Sequence, residues 1–282
     1  MRATDAGLPE TYERDLAEYQ APRTIRRYRT ATAGEGINYL SRVTYGPLLL
    51  AAATQAIEET GAERLRFVEF GCGVGMATQH LVTKLSDEGI ELELAVGADF
   101  APAMVAAATE EARAANVPDA GDRVRFVVAS NEHLADGLAD GLGEPADSLA
   151  GTFQLAFGIN TFRYPIRHGT AREAVEQLER LLTSGGRVVV IDMNDRFPYG
   201  LRPKFRRDGR LISFGSEKLP TLDEYAKPLA DAGFEILRKE YFAWIPHSAS
   251  GVRFRVARAA APILDKLVPD RAMRSLVVAR KR

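Results

Sequence analysis

The feature that most constrains the fold is the stretch Arg66–Met76, in which an apolar run meets three glycines at alternate positions. Its first half is rich in aromatic and β-branched residues, a composition typical of a strand covered on both faces. Gly71, Gly73 and Gly75 permit a sharp turn and leave the backbone open to close approach by a ligand. A helix that follows such a loop directs its free N–H groups at that ligand. The stretch therefore predicts a strand, a nucleotide-binding loop and a helix.

The composition limits the classes of protein to consider. The 282 residues suffice for one large α/β domain with additions. The formal charge is −1 and no block of like charge stands out, so nucleic-acid binding gains no support. Cys72 has no cysteine partner for a disulfide, and Met1–Glu18 lacks the apolar core of a secretory signal, which predicts a cytoplasmic protein. The longest apolar block, Pro47–Ala53, is far shorter than the roughly 20 residues that span a bilayer.

Residues 1–62 precede the first core strand and predict an N-terminal helical cap. Pro9–Tyr19 is amphipathic and Tyr45–Glu59 is rich in leucine and alanine, so each predicts a helix. Thr44 is placed to cap the second helix and Gly61 to end it.

Between these helices, Arg23–Ala31 and Gly34–Tyr39 mix arginines, tyrosines and flexible glycines. Two readings stay open for this segment. It is either a solvated helix face followed by a loop, or a lid that closes on an anionic or aromatic ligand.

The remaining chain, residues 63–282, alternates strand and helix patterns. This alternation predicts an α/β fold with a doubly wound, mostly parallel sheet of seven strands. After the first strand, the predicted strands are Leu92–Ala98, Arg123–Ala129, Phe153–Phe157, Arg187–Ile191, Phe234–Trp244 and Ser275–Ala279. The domain is expected to carry insertions at about 195–219, which is rich in arginine, and at about 245–272.

Asp99 ends the second predicted strand, beside the glycine-rich loop. Because the carboxyl ends of neighbouring parallel strands meet at one edge of the sheet, its carboxylate is placed to accept hydrogen bonds from the two hydroxyls of a bound ribose. A dinucleotide fingerprint is disfavoured, since its third glycine would fall where this chain has Met76. Glu69, directly before the turn, suits a cationic ligand better than a pyrophosphate.

Three segments resemble the class I S-adenosylmethionine-dependent methyltransferases of small-molecule type. Glu69–Gly75 is similar to the first motif of that family, Gly97–Met104 to the second, and Leu181–Arg187 to the turn before strand five. The resemblance covers about 63–192 and extends to the closing β-helix-β region. It implies a Rossmann-like methyltransferase fold with S-adenosylmethionine as cofactor.

The resemblance also implies the cofactor contacts. Gly71 and Gly73 would border the methionine portion, Asp99 would hold the ribose, and Phe100 and Met104 would pack on the adenine. The complete predicted cofactor set is Glu69, Gly71, Cys72, Gly73, Asp99, Phe100, Met104, Ser130, Asn131, Glu132, Gly158 and Asn160.

Two positions depart from the family pattern: Ser130 and Gln154 stand where aspartates are common. Ser130 or Asn131 could still hydrogen-bond adenine, because both side chains carry neutral donors and acceptors.

Catalytic residues are harder to recognise, because an activated sulfonium needs alignment more than acid–base chemistry. His168 follows the segment after the fourth strand and is the first candidate for a general base, with His247 second. Tyr164 and Arg163 lie in the same segment, and either is a candidate for orienting the acceptor. Each histidine has a structural alternative as a surface or helix-capping residue. No metal is expected from Asp192 and Asp195, since further ligands are absent nearby.

The predicted function is methyl transfer from S-adenosylmethionine to a small-molecule acceptor, a specialised metabolite methylated on oxygen or nitrogen, with carbon as the alternative. The expected partners exclude nucleic acid and membrane, and a homodimer is left open. Two readings from other classes remain: a non-catalytic protein with this cofactor-binding fold, and a nicotinamide-dependent oxidoreductase, which Met76 argues against.

Overall fold

The fold was analysed in a computed structural model that describes residues 10–31, 34–197, 204–205, 211–212 and 219–282. Its centre is a seven-stranded sheet with the strand order β3-β2-β1-β4-β5-β9-β8. A separate two-stranded pair is formed by β6 and β7. The strands are β1 (Leu65–Phe70), β2 (Leu92–Asp99), β3 (Val124–Val128), β4 (Phe153–Ile159), β5 (Leu182–Met193), β6 (Lys204–Phe205), β7 (Leu211–Ile212), β8 (Glu235–Phe242) and β9 (Arg274–Arg280).

The first five strands pair in parallel. β9 pairs antiparallel with β5 on one side and with β8 on the other. The predicted doubly wound, mostly parallel sheet of seven strands is confirmed, as are helices at the N-terminus. The helices are α1 (Glu10–Gln20), α2 (Pro22–Ala31), α3 (Glu35–Tyr39), α4 (Gly46–Thr60), α5 (Met76–Asp87), α6 (Pro102–Ala114), α7 (Leu134–Leu142), α8 (Arg163–His168), α9 (Ala171–Leu181), α10 (Leu222–Asp231) and α11 (Gly251–Leu267).

The sheet is buried on both faces because successive side chains of a strand point in opposite directions. On β1, Phe67 packs into the core on the face of α4 and α5, and Val68 and Phe70 pack into the core on the opposite face. All three side chains are fully enclosed. This double burial explains the apolar run that precedes Glu69 in the sequence.

Two local predictions differ from the structure. Thr44 does not cap a helix, because it lies inside a π-helical turn, Leu40–Tyr45, that continues directly into α4. The segment 184–186 does not separate α9 from a later strand, since β5 already begins at Leu182. It forms a bulge instead: the pairing with β4 shifts between Leu182 and Arg187.

Of the first predicted insertion, only its two ends and the strands β6 and β7 lie among the described residues. Its arginines at positions 202, 206, 207 and 210 lie outside them. The second insertion contains α11, which connects β8 with β9. None of the described helices has the length and apolarity needed to cross a membrane.

Candidate active site

The glycine-rich loop joins β1 to α5 with three left-handed residues. Gly71, Gly73 and Gly75 have φ angles of 68°, 56° and 76°. A side chain at Gly71 would collide with Thr161, and one at Gly75 would lie 2.6 Å from the ring of Phe126. The backbone conformation therefore favours glycine at all three positions, and close packing also requires it at Gly71 and Gly75.

Glu69 lies at the end of β1 and anchors the following helix. Its side chain accepts hydrogen bonds from the backbone N–H of Thr78 at 2.8 Å and from the Thr78 hydroxyl at 2.5 Å. The residue is only 3% exposed. Burial raises the pKa of Glu69 to about 8, despite the hydrogen bonds from Thr78, and the nearby charge of Asp99 adds to the rise. The carboxyl group therefore holds a proton at neutral pH.

Asp99 joins the loop to the start of α6. One carboxylate oxygen accepts from the backbone N–H of Gly73 at 2.9 Å, and the other accepts from that of Ala101 at 2.9 Å. Burial, which leaves Asp99 5% exposed, raises its pKa to about 6 against these two bonds. The carboxylate that was predicted to hold a ribose thus already has a backbone donor on each oxygen.

The residues next to these two carboxyl groups pack in the interior and carry no charge. Met104 is fully buried in a cluster with Val74 and Ala101, against which Phe100 packs. Burial raises the pKa of the Cys72 thiol well above its ordinary value, and both nearby carboxylates raise it further. Cys72 is therefore no candidate nucleophile.

The three predicted residues after β3 lie where the cap meets the sheet. The hydroxyl of Tyr12, on α1, lies close to the side chain of Ser130. Glu132 accepts a hydrogen bond from the Thr170 hydroxyl at 2.6 Å, and Asn131 begins a short 3-10 turn. Tyr12 therefore reaches the segment that was predicted to bind adenine.

Asn160, directly after β4, has an uncommon backbone conformation and a buried side-chain oxygen. Its φ angle is +58°, a left-handed conformation that is uncommon outside glycine. Its side-chain oxygen is buried without a hydrogen-bond partner among the described residues. Strain and an unsatisfied polar atom together are typical of functional sites. Gly158, two residues earlier, lies against the ring of Phe70, where no side chain would fit.

The cap is joined to the segment after β4 by polar contacts from α1. Asp15 accepts hydrogen bonds from Arg167 and, at 3.1 Å, from Nε2 of His168. The hydroxyl of Tyr19 contacts that of Tyr164. Asp15 and Tyr19 lie four residues apart on α1, and we call their contacts with α8 the cap latch.

Aromatic rings extend this contact between the cap and the sheet. Tyr12 lies edge-on to Phe100 with ring centroids 5.6 Å apart, and to His168 at 5.8 Å. Tyr19 lies edge-on to Phe100 at 5.7 Å and to Tyr164 at 6.0 Å. The cap thus covers both the predicted adenine side and the predicted acceptor side of the site.

Arg163 lies on the predicted acceptor side of the site and connects Asp192 with Tyr164 by hydrogen bonds. Its guanidinium donates to Asp192 at 2.9 Å and to the Tyr164 hydroxyl at 2.9 Å, and its backbone N–H donates to Asp192 at 3.0 Å. Burial raises the pKa of Tyr164, although the charge of Arg163 opposes this rise. Tyr164 is therefore a neutral hydrogen-bonding group. Within the described ranges no three His, Cys, Asp or Glu side chains cluster as metal ligands.

The two candidate bases have different surroundings. The His168 side chain is 4% exposed and its Nε2 is held by Asp15. His247 lies beside the guanidinium of Arg274 at 3.2 Å, and burial together with that charge lowers its pKa to about 3. Its imidazole is therefore neutral, and it is a weak base.

Sequence reasoning missed Tyr12, Asp15 and Tyr19. Each makes its decisive contact with a residue more than 80 positions away in the chain, so no local motif reveals it. The only local signal was the amphipathic pattern of α1, which predicted a helix without stating what it covers.

Comparisons with known proteins bear on the family and the fold of the chain. Residues 68–188 match a family model described as a methyltransferase domain. Among solved structures, a SAM-dependent methyltransferase from Aquifex aeolicus is 13% identical, with 92% of this chain and 97% of that chain covered and a TM-score of 0.54. The magnesium protoporphyrin IX methyltransferase from Synechocystis PCC 6803, solved with bound SAM, is 15% identical over 99% and 100% of the two chains, with a TM-score of 0.53.

A third structure with a similar fold is the cyclase SpnF, 18% identical over 82% of this chain and 80% of that chain, with a TM-score of 0.51. At these identities the structures support the fold alone. A search of curated proteins finds no match.

The cap latch generates a first prediction. Asp15→Asn should speed hydrogen exchange of the α1 amides about tenfold or more, because a buried, charge-assisted hydrogen bond contributes about 1.5–3 kcal/mol. Mass spectrometry of exchange in α1 measures this effect. Glu18→Gln, which alters an exposed pair with Arg27 at 3.7 Å, is the matched control and should leave exchange unchanged.

The same contact should respond to acid. Burial opposes ionisation of Asp15, but the hydrogen bond from His168 and the charge of Arg167 together hold its pKa below 3.8. The stabilisation that Asp15 gives to the contact is therefore complete above about pH 4 and is lost as the pH falls through the lowered pKa.

Equal exchange of the α1 amides in Asp15→Asn and wild type at neutral pH would show that the latch does not hold α1.

Proposed function

We propose that this chain, an S-adenosylmethionine-dependent methyltransferase, transfers a methyl group to a small-molecule acceptor, on oxygen or nitrogen. Transfer to an activated carbon is the alternative. The observation that carries the proposal is the cap latch, by which α1 covers the segment after β4 that holds Tyr164 and His168. An enclosed site suits a discrete metabolite, whereas a macromolecular acceptor needs an open face. We place the acceptor among specialised metabolites and the protein in the cytoplasm.

The cofactor set predicted from the sequence is retained as part of the proposal. Glu69, Gly71, Cys72 and Gly73 would surround the methionine portion, and Asp99 would hold the ribose. The remaining proposed contacts, toward the adenine and the methionine ammonium, are Phe100, Met104, Ser130, Asn131, Glu132, Gly158 and Asn160.

Three features of the site fit such a cofactor. The carboxyl groups of Glu69 and Asp99 have raised pKa values, so a cationic ligand nearby would favour their ionised forms. The buried side-chain oxygen of Asn160 accepts no described hydrogen bond and suits a cationic N–H donor. Gly73 has nothing within 4 Å of where a side chain would begin, which leaves room beside the loop at that residue. Each carboxylate oxygen of Asp99 accepts one backbone N–H and has a second lone pair, so Asp99 can accept ribose hydroxyls while it keeps both backbone bonds.

The cofactor supplies a methyl group on a positively charged sulfur, and the protein's task is to align the acceptor in a dry site. Tyr164 would orient the acceptor through its hydroxyl, which Arg163 fixes in place. His168 would be the base, with Asp15 orienting its imidazole in the manner of an aspartate–histidine pair. Since Nε2 faces Asp15, base catalysis would use Nδ1 or require the latch to open.

The proposed function is tested by binding followed by turnover. Calorimetry should detect S-adenosylmethionine and its demethylated product, with no response to NAD. Methylation assays should then cover phenols, amines and activated carbon acids with mass detection of products. Binding of NAD alone would contradict the proposal. Cofactor binding without turnover across all three classes would favour a non-catalytic member of the fold.

The role of His168 generates a separate prediction. With an identified acceptor, His168→Ala should lower kcat about 10²-fold or more and remove the limb of the pH–rate profile that reports the base. Tyr19→Phe separates cap closure from base catalysis, because it removes the Tyr19–Tyr164 contact of the latch and leaves His168 and Asp15 unchanged. Equal pH profiles in wild type and His168→Ala would show that His168 serves only the cap.

A further inference from the structure

The helix α11 exposes a continuous apolar surface. Val252, Val256, Ile263 and Leu267 are exposed by 66%, 62%, 60% and 72%. Their separations of four, seven and four residues place them on one face of an α-helix. We call this surface the α11 stripe. Exposed apolar residues are ordinary when scattered, but an aligned set on one helix marks an interaction surface.

The opposite face fixes how α11 sits on the protein. Phe254 packs edge-on against Tyr39 of α3, with ring centroids 5.6 Å apart. The carboxylate of Asp265 accepts a hydrogen bond from the indole N–H of Trp244 at 2.5 Å. These contacts leave the α11 stripe facing away from the protein.

Basic side chains border the α11 stripe on both sides. By helical geometry, Arg253 lies along one edge, and Arg255 and Lys266 lie along the other. All three are exposed, and none is paired with an acidic side chain in the described part of the chain. The helix carries four basic residues and one acidic residue, Asp265, which Trp244 engages. Its positive charge contrasts with the formal charge of −1 for the whole chain.

The position of α11 in the fold is set by strand register. Phe242, the last residue of β8, pairs with Arg274, and Arg274 pairs with Met193 at the end of β5. The helix therefore enters and leaves the sheet at the edge where the parallel strands have their carboxyl ends. Open α/β sheets bind their ligands at this edge.

We propose that α11 binds an anionic lipid surface, lying in the plane of the interface with the α11 stripe among the lipid chains. Aliphatic residues bordered by arginine and lysine suit this environment, because long cationic side chains reach the headgroups while the apolar side chains are buried. Its 17 residues give a length of about 25 Å along the surface. The expectation of no membrane partner considered only spanning segments, which in-plane binding does not need.

Charge argues against a second copy of the chain as the occupant of this surface. Pairing two α11 stripes would bring Arg253, Arg255 and Lys266 of one copy against the same cations of the other. Like charges at an interface cost affinity, and the single acidic residue, Asp265, is already engaged. An anionic lipid surface satisfies the same cations without requiring any groove on α11.

The test is co-sedimentation of the full chain with extruded vesicles. One set contains phosphatidylcholine alone and the other contains phosphatidylcholine mixed with phosphatidylglycerol. We expect binding to the anionic vesicles that weakens as salt is raised. Arg253→Gln combined with Arg255→Gln should reduce partitioning by about five-fold or more for each cation removed. Val256→Gln combined with Ile263→Gln should abolish it.

Two controls separate surface binding from misfolding. Leu237→Gln changes an exposed leucine on β8, and Arg172→Gln removes an exposed cation on α9; both should bind like wild type. Circular dichroism should give the same melting temperature for all variants. Absence of vesicle binding, equal binding to neutral vesicles, or retention of binding in the stripe variant would each overturn the proposal. So would a dimer that dissociates in the stripe variant, since a second copy would then be the occupant. The proposal stands independently of the methyl acceptor.

Discussion

The burial of two carboxyl groups beside one glycine-rich loop is the constraint on which the rest of this site depends. Glu69 receives its hydrogen bonds from Thr78, at the start of α5, and Asp99 receives its own from the loop and the start of α6. Each group therefore ties a strand end to a helix start, which fixes the loop between them. Burial disfavours both negative charges, so the site is poised to gain from a cation.

The cap adds a second layer that depends on this arrangement. Phe100 follows Asp99 directly, and its ring is the surface on which Tyr12 and Tyr19 pack. On the other side of the site, Asp15 and Tyr19 contact the segment that follows β4. Opening of α1 would therefore expose both sides of the proposed site. Under the proposed function, entry of the cofactor and entry of the acceptor would therefore both depend on α1.

The sequence predicts the sheet well because each strand carries its own evidence. The apolar run of β1, the alternate glycines and the acidic end of β2 are local patterns. Double burial of the strand explains the first, the left-handed loop backbone explains the second, and the backbone donors beside Asp99 explain the third. The cap latch is not local, because Asp15 and His168 are distant in the chain and neither has a distinctive neighbourhood. The predicted ribose contact of Asp99 shows a different limit: the pattern identifies the carboxylate, but only packing reveals that both oxygens already have backbone donors. Thr44 failed as a helix cap because the π-helical turn before α4 leaves no free helix start there.

The central claim, a buried acidic site built for a cationic nucleoside, is tested most directly by proton release on binding. With a pKa of about 8, Glu69 is largely protonated at pH 7, and a nearby positive ligand should lower that pKa and expel the proton. Calorimetric titration with S-adenosylmethionine in phosphate and in Tris should therefore give different binding enthalpies. The difference should equal the difference between the ionisation enthalpies of the two buffers, multiplied by about one proton released. Glu69→Gln should remove most of that difference. Identical enthalpies in the two buffers for the wild-type protein would contradict the account.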